Sequence, residues 1–124
     1  MEDRYRVPVA DADRIRAGLA IQIVALATGV PAERMRRRVR LAGRVRLAGR
    51  ACQARRLAIY LAYITFGWPI ERVSHAFGLH RATVAAACRW VEDERDRSAL
   101  DALLDRLEHC VREALALPAC ELPA

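Results

Sequence analysis

Apolar residues recur along this chain at spacings of three and four, and no run of alternating apolar and polar positions is long enough to predict a strand. The spacing predicts a first helix over residues 13–27, with Ile15, Leu19, Ile23 and Leu26 as its apolar stripe and Asp11 or Asp13 as its cap. Gly29 is placed to end it in a left-handed conformation, and Pro31 opens a short helix over 31–38 with Glu33 in its first turn. A third helix is expected over 51–65, with Leu57, Tyr60, Leu61 and Ile64 on one side and Gly67 as its stop. Trp68-Pro69 opens a fourth, Pro69 at its first helical position, and Gly78 ends it. A fifth runs from near Arg81 to about Arg95. Ser98-Ala99-Leu100-Asp101 has the form of a capping box for a sixth, striped by Leu100, Leu103, Leu104, Leu107, Val111 and Leu115. The predicted fold class is all-α, a compact bundle of about six helices in one domain over 13–117, with an N-terminal arm over 1–12 and a frayed tail over 118–124.

The junction of the fourth and fifth helices carries the most specific local pattern. Gly78-Leu79-His80 is short enough for a helix-turn-helix, and Gly78 supplies the positive φ such a turn needs. Val73 and Phe77 before the turn, Leu79 within it, and Val84 and Ala87 after it would pack the two helices together. Ser74, four residues before the glycine, is small where the helices must cross closely. The outward positions of the fifth helix are His80, Arg81, Ala82, Thr83, Ala85, Ala86 and Arg89. Small residues let a helix seat deep in the major groove, and Arg81 has the fork that matches guanine O6 and N7. Thr83 and the free amides of the first turn suit a phosphate oxygen. An ordinary two-helix corner would share much of this pattern.

Charge tips the balance towards DNA. All 21 basic residues are arginine, and ten of them fall within residues 34–56, where there is no acid. The net charge of +6 divides into −1 over residues 1–33, +10 over 34–56 and −3 over 57–124. A basic block with mildly acidic flanks is the footprint of a polyanion partner. Inside the block lies a tandem hexapeptide, Arg38-Val39-Arg40-Leu41-Ala42-Gly43 followed by Arg44-Val45-Arg46-Leu47-Ala48-Gly49. Two copies are too few for a solenoid and are read as a duplication that lengthened a basic loop.

Other chemistry is thin. Cys52, Cys88, Cys110 and Cys120 lie 36, 22 and 10 residues apart, and with His75, His80 and His109 they complete no zinc pattern. Cys88 and Cys110 fall on predicted apolar faces and are read as small hydrophobes. No metal or cofactor is expected. His75 has no nucleophile or carboxylate pair around it in the sequence, so no enzyme is expected. Trp68 and Trp90 are read as core or edge aromatics. The longest apolar stretch, Gly18 to Val30, is broken by Gln22 and too short for a membrane span, and the charged start (Glu2, Asp3, Arg4, Arg6) is unlike a signal peptide. A cytoplasmic, nucleoid-associated location is expected.

Several of these segments resemble the C-terminal DNA-binding domain of the bacterial replication initiator DnaA. The likeness is carried by Cys52-Gln53-Ala54-Arg55-Arg56-Leu57-Ala58-Ile59-Tyr60-Leu61-Ala62, Ile70…Phe77-Gly78, Thr83-Val84 and Ala87-Cys88-Arg89-Trp90-Val91-Glu92. Earlier in the chain it covers Ile23-Val24-Ala25…Gly29-Val30…Met35-Arg36-Arg37-Arg38, so residues 13–112 are spanned. The resemblance implies a helix-turn-helix bundle of the Trp-repressor-like kind. It also implies a minor-groove role for Arg55, with Arg56 beside it. Where the family's reading helix opens Asp-His-Thr-Thr-Val, this chain has His80-Arg81-Ala82-Thr83-Val84. Arg81 therefore predicts a guanine preference and a site that is different from the initiator's box or relaxed. No GxxxxGK[ST] phosphate loop occurs, and a protein without the initiator's ATPase module is expected.

The function read from the sequence is that of a sequence-preferring double-stranded DNA-binding regulator of transcription or replication initiation, a monomer or weak homodimer. Its expected DNA contacts are Arg55, Arg56, His80, Arg81, Thr83 and Arg89, with Arg36, Arg37, Arg38, Arg40, Arg44, Arg46 and Arg50 from the basic block. The alternative is an adaptor that keeps the fold but binds replication or regulatory proteins, pointed to by the altered turn, the acids Glu92, Asp93, Glu94 and Asp96, and the extra leucines Leu115 and Leu117.

Overall fold

The computed structural model describes residues 8–36, 39–41, 44–46, 49–97 and 99–124; for 39–41 and 44–46 it describes the backbone. In chain order the elements are α1 (Asp11–Thr28), α2 (Ala32–Arg36), β1 (Val39–Leu41), β2 (Arg44–Arg46), α3 (Gly49–Phe66), α4 (Ile70–Phe77), α5 (Arg81–Arg95) and α6 (Leu100–Leu115).

Helix α3 is the axis of the bundle, and each of the other five helices packs against it. Its sequence explains why. From Leu57 to Ala62 every residue is buried, the pattern of a helix surrounded on most sides. Ala54, Ala58 and Ala62 recur every four residues, a smooth ridge that lets neighbours approach closely. The core joins Leu57, Ile59 and Leu61 of this helix to Val24 of α1, Met35 of α2, Val73 of α4, Val84 and Val91 of α5, and Leu104 and Val111 of α6. The all-α bundle predicted from periodicity is the observed architecture.

Three details differ from expectation. Helix α1 buries Ala17, Ala20, Ile21 and Val24, not the stripe of Ile15 and Leu26, which are 71% and 88% exposed. Leu19 and Ile23 lie at the boundary and pack partly on the core. The helix is apolar on nearly every side, so two stripes of similar hydrophobicity competed; the one with alanines won because it fits closely against α3. The cap is Ala10 with no side-chain hydrogen bond, while Asp11 and Asp13 sit in the first turn. The expected capping box fares likewise: Ser98 lies outside the described residues, and the residue before α6 is Ala99, again without a side-chain bond.

The third difference is the basic segment over 34–56. Its described residues divide among the end of α2, an antiparallel pair of strands and the first two turns of α3. Val39 pairs with Arg46, Arg40 with Val45 and Leu41 with Arg44. Each copy of the hexapeptide thus contributes one strand. The Arg-Val-Arg alternation, with a β-branched residue at its centre, suits extended backbone, and six residues per copy was too short for its period to register as a strand.

Helix ends follow the glycines. Gly29, Gly67 and Gly78 close α1, α3 and α4 at φ of 76°, 66° and 66°. No basic residue lies in the last turn of α1; Arg50 of α3 donates instead to the Thr28 carbonyl, bringing a cation to the negative end of that helix. No described helix is long and apolar enough to cross a membrane.

Candidate nucleic-acid interface

Helices α4 and α5 meet at a turn closed as the sequence predicts. Gly78 adopts the left-handed region, its amide donates to the His75 carbonyl, and the Leu79 amide donates to the Ser74 carbonyl at 2.9 Å. Val73, Ser74, Val84 and Ala87 are buried at the junction, with Phe77 and Leu79 partly so. The Ser74 hydroxyl donates to the Glu71 carbonyl at 2.7 Å, which disposes of its polar atom within its own helix. Pro69 caps α4 rather than forming its first helical residue.

His80, one of the expected DNA contacts, is exposed and also has a structural part. It is the N-cap of α5, and its Nδ1 accepts the Ala82 amide at 3.0 Å. That bond uses one of the amides left open at a helix start and fixes the entry of the chain into α5. Beyond it, Arg81, Ala82, Thr83, Ala86 and Arg89 are all exposed, an outer face made of two arginines and small residues.

Packing of α3 on α5 then builds a groove of about 340 Å³. One wall is Cys52, Arg55, Arg56 and Ile59, one side of α3 at spacings of three and four. The other is Ala82, Thr83, Ala86 and Ala87 of α5. The guanidinium of Arg56 lies over the Trp90 ring, 5.0 Å from its centroid, which ties the two helices together and leaves the charge at the edge of the groove. Arg55, Arg56 and Thr83 are thereby brought to one groove, and Arg81 is exposed at the first position of α5, one residue before that wall begins.

The rest of the basic block is divided among several elements. Arg40, Arg44 and Arg46 lie on the strands leading into α3, while Arg37 and Arg38 fall outside the described residues. Arg50 is committed to Thr28 and acts as a brace. Arg36 ends α2 and stands against α1, where its guanidinium lies 3.7 Å from the position a Cβ on Gly18 would occupy. Acids gather elsewhere. Arg95 at the end of α5 donates to Asp101 at 2.7 Å, Asp105 at 2.9 Å, Glu108 at 2.8 Å and the Tyr60 hydroxyl at 3.3 Å. Partial burial works against that guanidinium's charge, but those hydrogen bonds outweigh it and hold its pKa above the usual arginine value. Arg72 forms a two-pronged pair with Asp13 at 2.8 and 2.9 Å and lies over Trp68.

The remaining candidates are structural. Trp68 is buried in the core and Trp90 lies at its edge. Cys88 is buried, and burial, with Glu92 nearby, pushes its thiol up to about 11. Cys110 is exposed rather than on an apolar face, because the buried side of α6 runs through Leu104, Leu107 and Val111. His75 is half-buried on α4. Among the described residues no three His, Cys, Asp or Glu side chains come together to hold a metal ion. Sequence reasoning missed Arg72 and Arg95, whose partners lie 59 and up to 35 residues away, and Arg14, taken up below. Comparison with family models, curated proteins and solved structures gives no match.

Proposed function

We propose that this chain binds double-stranded DNA as a regulator of transcription or replication initiation, setting the first turns of α5 in the major groove. The observation that carries the reading is the groove shared by α3 and α5. It brings Arg55 and Arg56 beside Thr83 and the small face of α5, at the end of a hairpin rich in arginine. In this reading Arg81 reads a guanine edge, Thr83 and the hairpin arginines take phosphates, and Arg55 enters the minor groove. The resemblance of these residues to the initiator's DNA-reading domain supports the same assignment. The acids bound to Arg95 lie at the far end of α5, where they would not face a duplex.

Fluorescence anisotropy against a panel of short duplexes tests it. Binding should weaken steeply with salt, the logarithmic slope rising by about 0.9 for each phosphate neutralised. Arg81→Ala should erase preference among duplexes while retaining weak binding at low salt. Equal discrimination by parent and variant would remove α5 from the role of reading helix.

A second reading, an adaptor for replication or regulatory proteins, is favoured by the apolar side chains left exposed, Ile15 and Leu26 on α1 and Leu117 after α6. Cross-linking in cells, followed by sequencing of retained DNA and identification of retained proteins, separates the two. Retained partners with no retained duplex would favour the adaptor.

A further inference from the structure

On the flank of the bundle next to the turn between α4 and α5 lies a second cleft, about 340 Å³ in volume. Arg14 of α1, Arg36 of α2 and Arg55 of α3 stand around it, and no acidic residue lines it. Ile21, Met35 and Phe77 supply an apolar lining, the first two buried in the core. Gly18 opens the wall on the α1 side, and Gly78 and Leu79 close the other. Arg14 also donates to Asp11 one turn back, but that pair is well exposed on both sides and competes weakly for the guanidinium.

We propose that this cleft binds a small amphipathic anion: a compact apolar body against the half-buried Phe77 and Leu79, and a phosphate or carboxylate held by Arg14 and Arg36. Arg14 and Arg36 bring like charges to one cleft over apolar surface, and a bound anion would offset their repulsion. Arginine is suited to the head group because its planar fork meets a phosphate or carboxylate with two parallel hydrogen bonds. The volume is at the small end of the range for ligand sites, which admits one ring and a head group rather than a nucleotide pair. The apolar lining separates this site from a plain phosphate seat, which would need charge alone.

Phenyl phosphate, inorganic phosphate and benzyl alcohol are the probes, followed by the amide resonances of Gly18, Gly78 and Leu79. Phenyl phosphate should shift these amides saturably, binding at least about tenfold more tightly than inorganic phosphate. Benzyl alcohol should leave them in place. Arg36→Gln keeps the space and removes one charged fork, so affinity for phenyl phosphate should fall about tenfold. Gly18→Leu keeps every charge but fills the cleft, and it replaces a poor helix former with a good one, so the fold is retained and binding is lost. Equal affinity for phenyl phosphate and inorganic phosphate would overturn the proposal, as would full binding by Gly18→Leu. No duplex enters this experiment, so its outcome is independent of the DNA-binding reading.

Discussion

Arg95 shows how much one side chain can hold together here. It reaches three carboxylates and the Tyr60 hydroxyl, and Glu108 and Tyr60 are both buried. Arg95→Ala leaves the Tyr60 hydroxyl without that donor and Glu108 with only the longer pair to Arg112 at 3.5 Å, and should cost about 2–3 kcal/mol in urea unfolding. Among the described residues Arg97 pairs with Glu94 alone, at the surface, and Arg97→Ala should change stability by less than about 0.5 kcal/mol. Asp13 gives a pH signature. The hydrogen bond from Arg72 holds its carboxyl below the usual value, slight burial opposes this, and the charges of Arg72 and Arg16 add to it. A lowered native pKa means that the pair stabilises above the unfolded carboxyl's pKa and is lost as pH falls through the native one. Parent should therefore melt above Asp13→Asn at neutral pH, the gap narrowing once pH falls below the ordinary carboxyl value of about 4 and closing only below Asp13's lowered native one. Iodoacetamide at pH 8 should label Cys110 and Cys120 rapidly and Cys88 only on unfolding, since Cys88 is buried and its thiol titrates near 11.

Among the elements, the turn after α4 is the most sharply specified. A Cβ added to Gly78 would meet nothing within 4 Å, so the penalty of Gly78→Ala is the left-handed backbone alone. It should destabilise by about 1–2 kcal/mol, and Gly78→Asn should recover part of that loss in the same thermal melt. This turn, the bounds of α5 and the ends of α1 and α3 were legible in the sequence, because glycine and proline act locally and carry their conformational reason with them. The inward face of α1 was not, because Ile15, Leu19, Ile23 and Leu26 form as regular a stripe as the residues that are buried. What chose between them was the alanine ridge of α3, a partner some 35 residues further along the chain. At the candidate interface Arg55, Arg56, Arg81 and Thr83 could be named from spacing and composition. The bond by which His80 caps α5 and the contact that joins Arg50 to α1 depend on backbone geometry that no spacing encodes.

For the molecule as a whole, charge is arranged by position rather than by amount. The net +6 is small, yet the ten arginines of residues 34–56 gather in one segment, and the acids cluster largely around Arg95 at the far end of α5. Under the DNA-binding reading this polarity orients the protein before contact, since like charge turns the acidic end away. Replacing Arg40, Arg44 and Arg46 together with Ala should weaken binding to all duplexes alike and lower the salt slope by about 0.9 for each phosphate contact removed. Arg50 is kept out of that set because its loss would loosen α1 as well. A variant that lost discrimination but kept the parent's salt slope would move these arginines off the duplex.

Arg55 lines both the groove between α3 and α5 and the cleft beside the turn. Two binding events whose sites share the Arg55 side chain as a wall are thermodynamically linked where either one moves it, and the linkage runs equally in both directions. If an anion in the cleft lowers affinity for a duplex by about tenfold, the duplex must lower affinity for the anion by the same factor. Titrating phenyl phosphate at fixed duplex, then duplex at fixed phenyl phosphate, measures that factor twice. A factor that departs from one in the parent and returns to one in Arg55→Gln would make Arg55 the link through which a small anion sets the protein's hold on a duplex.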